Sequence, residues 1–356
     1  MSDFNIAQFK RNILTKNLNI LIGSGVSNPA IPLMNFFLKD DKGMAVSKEI
    51  ANTNLENHIW KVSSFLLWNH NDRIKYFVEN MDKQTLYSID YLTELKNFNT
   101  FENNIDYVLE RYVKFLEKVI TLLYTSNSRT VSKSVSIFTT NYDLFIESSL
   151  DLLMKNENFI FNDGTNGYFH KVLDSSNYNK SVAYRGLNEN YLNELPSISL
   201  IKPHGSMNWE KVENNQILIK TCTVNRPVIV RPTGLEGQET YLNNHFHDML
   251  RVFQLELDKP QSVLIVIGFS FQDDHIAKMI RRALKNPELM IYIFCYADSD
   301  FDVIKKNLSL DNTPRNLQIV IPSDLEVENK NTLSTSGNFD ISSLTKLFIV
   351  EDDEVK

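Results

Sequence analysis

The chain has 356 residues, 42% hydrophobic and 23% charged, which is length and apolar content enough for a large core in one domain with insertions or in two domains. Its net charge of -7, from 37 basic and 44 acidic side chains, excludes a global attraction to nucleic acid, and direct nucleic-acid binding is not expected. Apolar runs such as Val263-Leu-Ile-Val-Ile-Gly268 are strand-sized, far below the roughly 20 residues of a spanning helix, and Met1–Lys16 is polar and lacks the apolar core of a secretory signal, so neither a membrane span nor export is expected.

In chain order, the apolar run Leu18–Ile22 ends in Gly23-Ser24-Gly25 and reads as a first strand and its turn. Pro29 and Pro32 delay or break any helix that follows. From 42 to 128 the pattern becomes helical. Ile59, Val62, Phe65 and Leu66, then Ile105, Val108, Leu109, Tyr112, Phe115, Leu116 and Val119, recur at three- and four-residue spacing, as in a helical insertion. Val135–Phe138 is the next strand and runs into Thr139-Thr140-Asn141-Tyr142-Asp143, after which Leu144–Leu153 suits a helix. Residues 156–197, rich in Asn, Ser, Gly and Tyr, read as a second, irregular insertion. Ile198–Ile201 returns to strand and delivers Lys202-Pro203-His204-Gly205. Ile217–Ile219 and Val228–Val230 are further strand candidates, Tyr241–Leu257 a helix, and Val263–Ile267 a central buried strand ending in Gly268-Phe269-Ser270. A helix over Asp274–Leu284 and strands at Ile291–Phe294 and Leu317–Ile321 follow. Residues 326–356, polar apart from Leu344–Val350, read as a tail or docking segment.

Continuous apolar strands alternating with helices predict an α/β fold, a Rossmann-like doubly wound, mostly parallel sheet. In such a sheet the loops after the strands gather along one edge, where ligands bind. Four loops then converge. Glycines in Gly23–Gly25 let backbone amides approach phosphate closely. The third glycine of the usual dinucleotide fingerprint is Asn28 here, and the loop also suits an ordinary turn. Asn141 has the amide to hold a ribose hydroxyl or a water, and Asp143 the charge to orient it or to favour a cationic sugar. Asp143 equally suits a helix cap. His204 offers an imidazole that titrates near neutrality, fit for a general base. Ser270 can bond ribose or phosphate, or cap a turn. Asp298, after the 291–296 run, sits where an acid can hold ribose hydroxyls.

The two cysteines, Cys222 and Cys295, cannot form a four-cysteine zinc site, and they fit a reduced, cytoplasmic setting. His245-Phe-His247 lies in a helical pattern with no third ligand evident, and His275 beside Asp273-Asp274 reads as helix-start chemistry.

Together the motifs resemble the sirtuin-like superfamily, whose pattern is a Gly-Ala-Gly-x-Ser loop, a Gln/Thr-Asn-x-Asp segment, a His-Gly segment and a Gly-x-Ser segment. Here these stand as Gly23-Ser24-Gly25-Val26-Ser27, Thr140-Asn141-Tyr142-Asp143, His204-Gly205 and Gly268-Phe269-Ser270. Deacylase sirtuins carry an Asp-Phe-Arg segment after the first loop, where this chain has Ile31–Phe36, and a four-cysteine zinc module. Lacking both, and with Gly268-Phe-Ser-Phe-Gln-Asp-Asp-His-Ile276 and a helical insertion, the sequence looks like the bacterial antiphage-defence branch that hydrolyses NAD to ADP-ribose and nicotinamide.

The resemblance implies an NAD hydrolase that takes NAD as substrate, needs no zinc or other metal, and pairs with a HerA-type ATPase, with homo-oligomerisation expected. It implies catalytic roles for Asn141, His204 and Asp143, and NAD contacts from Gly23, Ser24, Gly25, Ser27, Thr140, Gly268, Ser270 and Asp298. The expected division is an NAD-binding domain over 1–41 and 129–325 (with the irregular insertion 156–197), a helical insertion over 42–128 and a C-terminal segment over 326–356. A protein deacylase, an ADP-ribosyltransferase and a non-catalytic NAD or ADP-ribose-binding module remain alternatives at this point.

Overall fold

The computed structural model describes residues 4–40, 43–81, 91–125, 132–185, 192–231, 244–326, 332–334 and 337–349. Its centre is a seven-stranded, all-parallel sheet. In chain order its strands are β1 (Asn17–Ile22), β2 (Ser134–Thr139), β3 (Ile160–Asn162), β8 (Ser197–Ile201), β11 (Ser262–Ile267), β12 (Met290–Phe294) and β13 (Leu317–Val320). The chain between β3 and β8 forms the short strands β4 (Thr165–Asn166), β5 (Val172–Leu173), β6 (Ala183–Arg185) and β7 (Leu192–Glu194). Two more, β9 (Trp209–Lys211) and β10 (Ile217–Ile219), follow β8. Across the main sheet the order is β13-β12-β11-β1-β2-β8-β3. From β1 the chain steps to β2 and β8 on one side, then returns to β11 on the other. The strand order therefore reverses between β1 and β11, the position where open α/β sheets bind ligands.

The apolar runs become strands buried on both faces, which is why they lack polar alternation. Residues Val263 to Ile267 of β11 are all at most 2% exposed, each worth roughly 1.5–3 kcal/mol relative to an exposed side chain. Successive strand residues point to opposite faces, so Ile20, Ile22, Ile265 and Ile267 feed one core while Leu21, Leu264 and Val266 feed the other. The first core is covered by the N-terminal helix Ile6–Thr15, whose Phe9 meets Tyr292 edge-on at 5.0 Å, and by the helix Tyr91–Thr125. The second is covered by the helices Asn244–Asp258 and Asp274–Ala283.

Between β1 and β2 lie the helices Lys48–Leu67, His70–Glu79 and the 35-residue Tyr91–Thr125. Ser47 caps the first by accepting the Ile50 amide at 3.3 Å, and Asn69 caps the second by accepting the Asp72 amide at 3.0 Å, so the break at Trp68-Asn69 starts a new helix. Ile105, Val108, Tyr112, Phe115, Leu116 and Val119 are buried, the stripe their spacing predicts. Tyr112 stacks on Phe145 of the helix Phe145–Leu153 that follows β2, centroids 5.5 Å apart and nearly parallel.

The helix Ile341–Leu347, within the expected C-terminal tail or docking segment, packs on the helix Tyr91–Thr125, and Arg111 pairs with Asp340 at 2.7 Å. Its Leu344 and Phe348 are buried in the first core, and Phe339 stacks on Phe294 at 4.7 Å. Some local expectations shift. Ile217–Ile219 joins a separate four-stranded antiparallel sheet of β4, β5, β10 and β9. Val228–Val230 is not a strand and contributes only a bridge between Ile229 and Gly205. The helix expected from Tyr241 is described from Asn244, and residues 241–243 lie outside the described residues. No helix among the described residues is long and apolar enough to cross a membrane.

Candidate functional site

The first and fourth motif loops interlock at the switch point. The Gly23 amide donates to the Ile267 carbonyl at 2.9 Å and the Gly25 amide to the Gly268 carbonyl at 3.0 Å. A Cβ on Gly23 would lie 2.2 Å from the Gly268 oxygen, so glycine is required here for backbone approach. These two amides are thus engaged by the end of β11. Ser24, at the start of the short 3-10 turn Ser24–Ser27, is exposed, whereas Ser27 is buried.

Ser27 reaches the loop after β2. Its hydroxyl donates to Asp143 Oδ2 at 2.9 Å, lies 3.2 Å from the Tyr112 hydroxyl, and accepts from Asn141 Nδ2 at 3.4 Å. Since the Ser27 proton goes to the carboxylate, Tyr112 is the donor in its contact. Thr139 Oγ1 accepts the Asn141 amide at 3.1 Å and donates to the Ile22 carbonyl at 2.8 Å, tying the ends of β1 and β2 together. Asn141 Nδ2 also donates to the Gly23 carbonyl at 3.2 Å. That carbonyl fixes the amide's orientation, because a flip would set two oxygens against each other. Asn141 Oδ1 is left buried with no partner among the described residues. An orphan acceptor of this kind calls for a donor, and a ribose hydroxyl, a carboxamide N–H or a water meets that need.

Asp143 Oδ1 accepts the Phe145 amide at 3.2 Å, so the carboxylate also anchors the start of the next helix, as its helix-cap reading expects. Burial raises its pKa above the ordinary carboxylate value, against the pull of Lys202 and of its hydrogen bonds. Lys202, buried beside it, donates to the Asp143 carbonyl at 2.5 Å, to Glu147 at 2.8 Å and to Ser206 at 2.9 Å. Burial likewise raises the Glu147 carboxyl, opposed by Lys202. Lys202, Glu147 and Tyr112 were not singled out from sequence. Lys202 was visible in its motif, but nothing in the sequence links it to Asp143 and Glu147. A cavity of about 930 Å³ is lined by Glu147 and Lys202 among others, but by none of the candidate site residues.

His204 follows β8, the neighbour of β2. Gly205, at φ +84°, makes the turn after it, and a Cβ there would sit 1.9 Å from the Val228 oxygen. The two loops are cross-linked through one residue. Val230 donates its amide to the His204 carbonyl at 2.8 Å and accepts the Tyr142 hydroxyl on its own carbonyl. Tyr142 sits between Asn141 and Asp143, so the backbone at His204 is held in register with both. The ring of His204 lies against His275, Nε2 to Nε2 at 2.8 Å, and both are buried. Desolvation, with a smaller repulsion from His275, lowers the His204 pKa to about 3, so its imidazole is neutral at physiological pH. His275 reads from sequence as helix-start chemistry. The structure places it in the first turn of the helix Asp274–Ala283, but buried and bonded to His204.

The structure therefore brings Gly23, Gly25, Ser27, Asn141, Asp143 and Gly268 into contact and locks His204 beside them through Tyr142 and Val230. The others stand apart. Thr140 is half-buried. Ser270 is exposed and its carbonyl accepts from Asn307 Nδ2 at 2.7 Å. Asp298 is exposed and accepts the Ser323 amide at 3.1 Å, at the start of the helix Pro322–Glu326. His245 bonds the Asn215 carbonyl at 2.6 Å, and among the described residues no cluster of three or more His, Cys, Asp or Glu could hold a metal. Cys222 is exposed, and Cys295 is buried with its thiol pushed up to about 12 by desolvation.

Residues 135–316, more than half of the chain, match the model of the SIR2-like domain family. The chain belongs to that family. The match includes the Asn141–Asp143 and His204–Gly205 segments and both Gly268 and Ser270, while the Gly23–Ser27 loop precedes it. SIR2-like domains use NAD, and the orphan acceptor on Asn141 beside a buried carboxylate is compatible with that ligand. No curated protein matches the chain as a relative.

Proposed function

We propose that this SIR2-like domain is an NAD glycohydrolase, cleaving NAD to ADP-ribose and nicotinamide. The observation that carries the reading is the partnerless buried acceptor of Asn141 in the same hydrogen-bonded group as Asp143, on a loop tied to the His204 backbone through Tyr142 and Val230 at the carboxyl edge of the sheet. In this reading the C–N bond between the ribose C1′ and the nicotinamide nitrogen breaks, and its electron pair neutralises the pyridinium. The sugar carbon becomes cationic, a state an adjacent carboxylate favours. Asn141 Oδ1 accepts from the attacking water or a ribose hydroxyl. The water oxygen bonds to C1′ and its proton passes to His204, which is free to take it because it is neutral. Asp143 holds Ser27 and supplies negative charge to the cationic sugar. Gly23, Ser24, Gly25 and Gly268 lie along the dinucleotide, with Thr140, Ser270 and Asp298 towards its outer parts.

The resemblance to the antiphage branch extends the proposal to an NAD-depleting effector in the cytoplasm, assembled as a homo-oligomer and paired with a HerA-type ATPase. The NAD-binding domain is then 1–41 and 129–325, with the helical insertion 42–128 and the C-terminal segment 326–356 beside it.

The test is product analysis after incubation with NAD, alone and with a coexpressed HerA-type ATPase. Wild type should release nicotinamide and ADP-ribose in equal amounts, and Asn141→Ala should lower release by about 10³-fold, the scale of losing an oriented polar group, without loss of thermal stability. Full activity in Asn141→Ala, or nicotinamide matched by deacylated peptide rather than ADP-ribose, would overturn the reading.

A further inference from the structure

Two imidazole nitrogens 2.8 Å apart share one proton. With two N–H groups they would repel, and with none there would be no bond. The His204 and His275 rings are tilted by 31° with centroids 4.9 Å apart, and their exposures are 3% and 5%. The pair has two arrangements. If His275 donates, the Nε2 lone pair of His204 is consumed, its own proton sits on Nδ1, and the ring cannot accept another. If His204 donates, its Nδ1 keeps a lone pair, and among the described residues nothing bonds that nitrogen.

The second arrangement is the one that leaves His204 a base. His275 belongs to the first turn of a ten-residue helix whose Ile276, Ala277 and Ile280 are buried, so its ring is fixed by an anchored element. His204 sits in a loop and takes its ring orientation from its partner.

We propose that His275 is a positioning residue: its Nε2 accepts the Nε2–H of His204 and so presents the Nδ1 lone pair of His204 as the base. This rests on the NAD-cleavage reading, which needs a base on His204. In the reaction the water O–H bond breaks, the proton goes to His204 Nδ1, and the imidazolium that forms shares its Nε2 proton with His275. The role is that of the orienting member of a hydrolytic triad, filled by a second imidazole.

Nitrogen-15 NMR of histidine-labelled full-length protein near pH 7 tests the pairing directly. The expected spectrum has His204 protonated on Nε2 with a pyridine-like Nδ1, assigned through loss of the signal in His204→Gln. His275→Leu should abolish that tautomer preference and lower kcat for nicotinamide release by about 10–100-fold with KM unchanged. His275→Gln, whose side-chain oxygen can accept the same hydrogen bond, should restore most of both. His204 carrying its proton on Nδ1 in the wild type would overturn the proposal, as would His275→Leu with wild-type kcat. If His275→Leu does not fold, the wild-type tautomer and the Gln variant decide the matter. If the expected tautomer is present but no NAD is cleaved, the functional reading fails and the pairing stands.

Discussion

Ser27, Asn141 and Asp143 form one buried hydrogen-bonded group, His204 and His275 another, and burial acts on the two groups with opposite sign. In the first, desolvation pushes a carboxyl towards its protonated, neutral form while serine and backbone donors hold its charge. In the second, desolvation strips an imidazole of its proton. Each group is driven towards neutrality: the carboxyl loses charge, and the imidazole keeps its lone pair but holds a proton less firmly. The same low-dielectric edge therefore weakens the charge on one side of the site and the basicity on the other.

Gly23→Ala should have the largest effect on this arrangement, because the added Cβ meets the Gly268 backbone oxygen that spaces the first and fourth loops. A loss of about 1–3 kcal/mol in denaturant unfolding is expected, with nicotinamide release lost alongside. Wild-type stability would show that the loops are not held as described.

The pH dependence of stability separates the two sides. A carboxyl with a raised folded pKa contributes stability that is present below the unfolded value of 3.8 and lost as pH rises through the folded pKa. Asp143→Asn should therefore gain melting temperature relative to wild type as pH rises, while losing activity. An imidazole lowered from 6.5 to about 3 contributes stability that is full above pH 6.5 and lost as pH falls towards 3. His204→Gln should gain relative to wild type on acidification. Parallel rather than crossing trends in thermal melts between pH 4 and 8 would remove the contrast.

Tyr112→Phe is the mildest probe. It keeps the stack on Phe145 and deletes one hydrogen bond to Ser27. A cost of about 0.5–1.5 kcal/mol is expected, with a modest fall in activity through Ser27 and Asp143. An unchanged melting temperature would show that the helical insertion does not support the carboxylate cluster.

Much of the scaffold was legible because its signals are local. An apolar run followed by Gly-Ser-Gly, Thr-Asn-x-Asp, His-Gly or Gly-x-Ser reads as a strand and its loop within a dozen residues, and parallel-sheet geometry then requires the loops to share an edge. The run at Val228–Val230 misled because three apolar residues also suit a buried extended segment, here held by single bonds to Ser206, Trp209 and His204 rather than by a ladder. His275 was hidden for a related reason. Asp273-Asp274 announces a helix start whatever the next ring touches, and its partner lies 71 residues away. Tyr112 fits an apolar stripe, and nothing in its spacing marks the hydroxyl that ends on Ser27.

By itself the sequence determined most strands of the main sheet, which loops follow them and which side chains those loops carry, because backbone propensity and apolar periodicity act over a few residues. Only the tertiary structure decided that Asn141 keeps an orphan acceptor, that Lys202 is spent on Asp143 and Glu147, and that His204 meets a second histidine. Those outcomes depend on which polar atoms are stripped of water together, and desolvation is a property of the packed edge, not of any one segment.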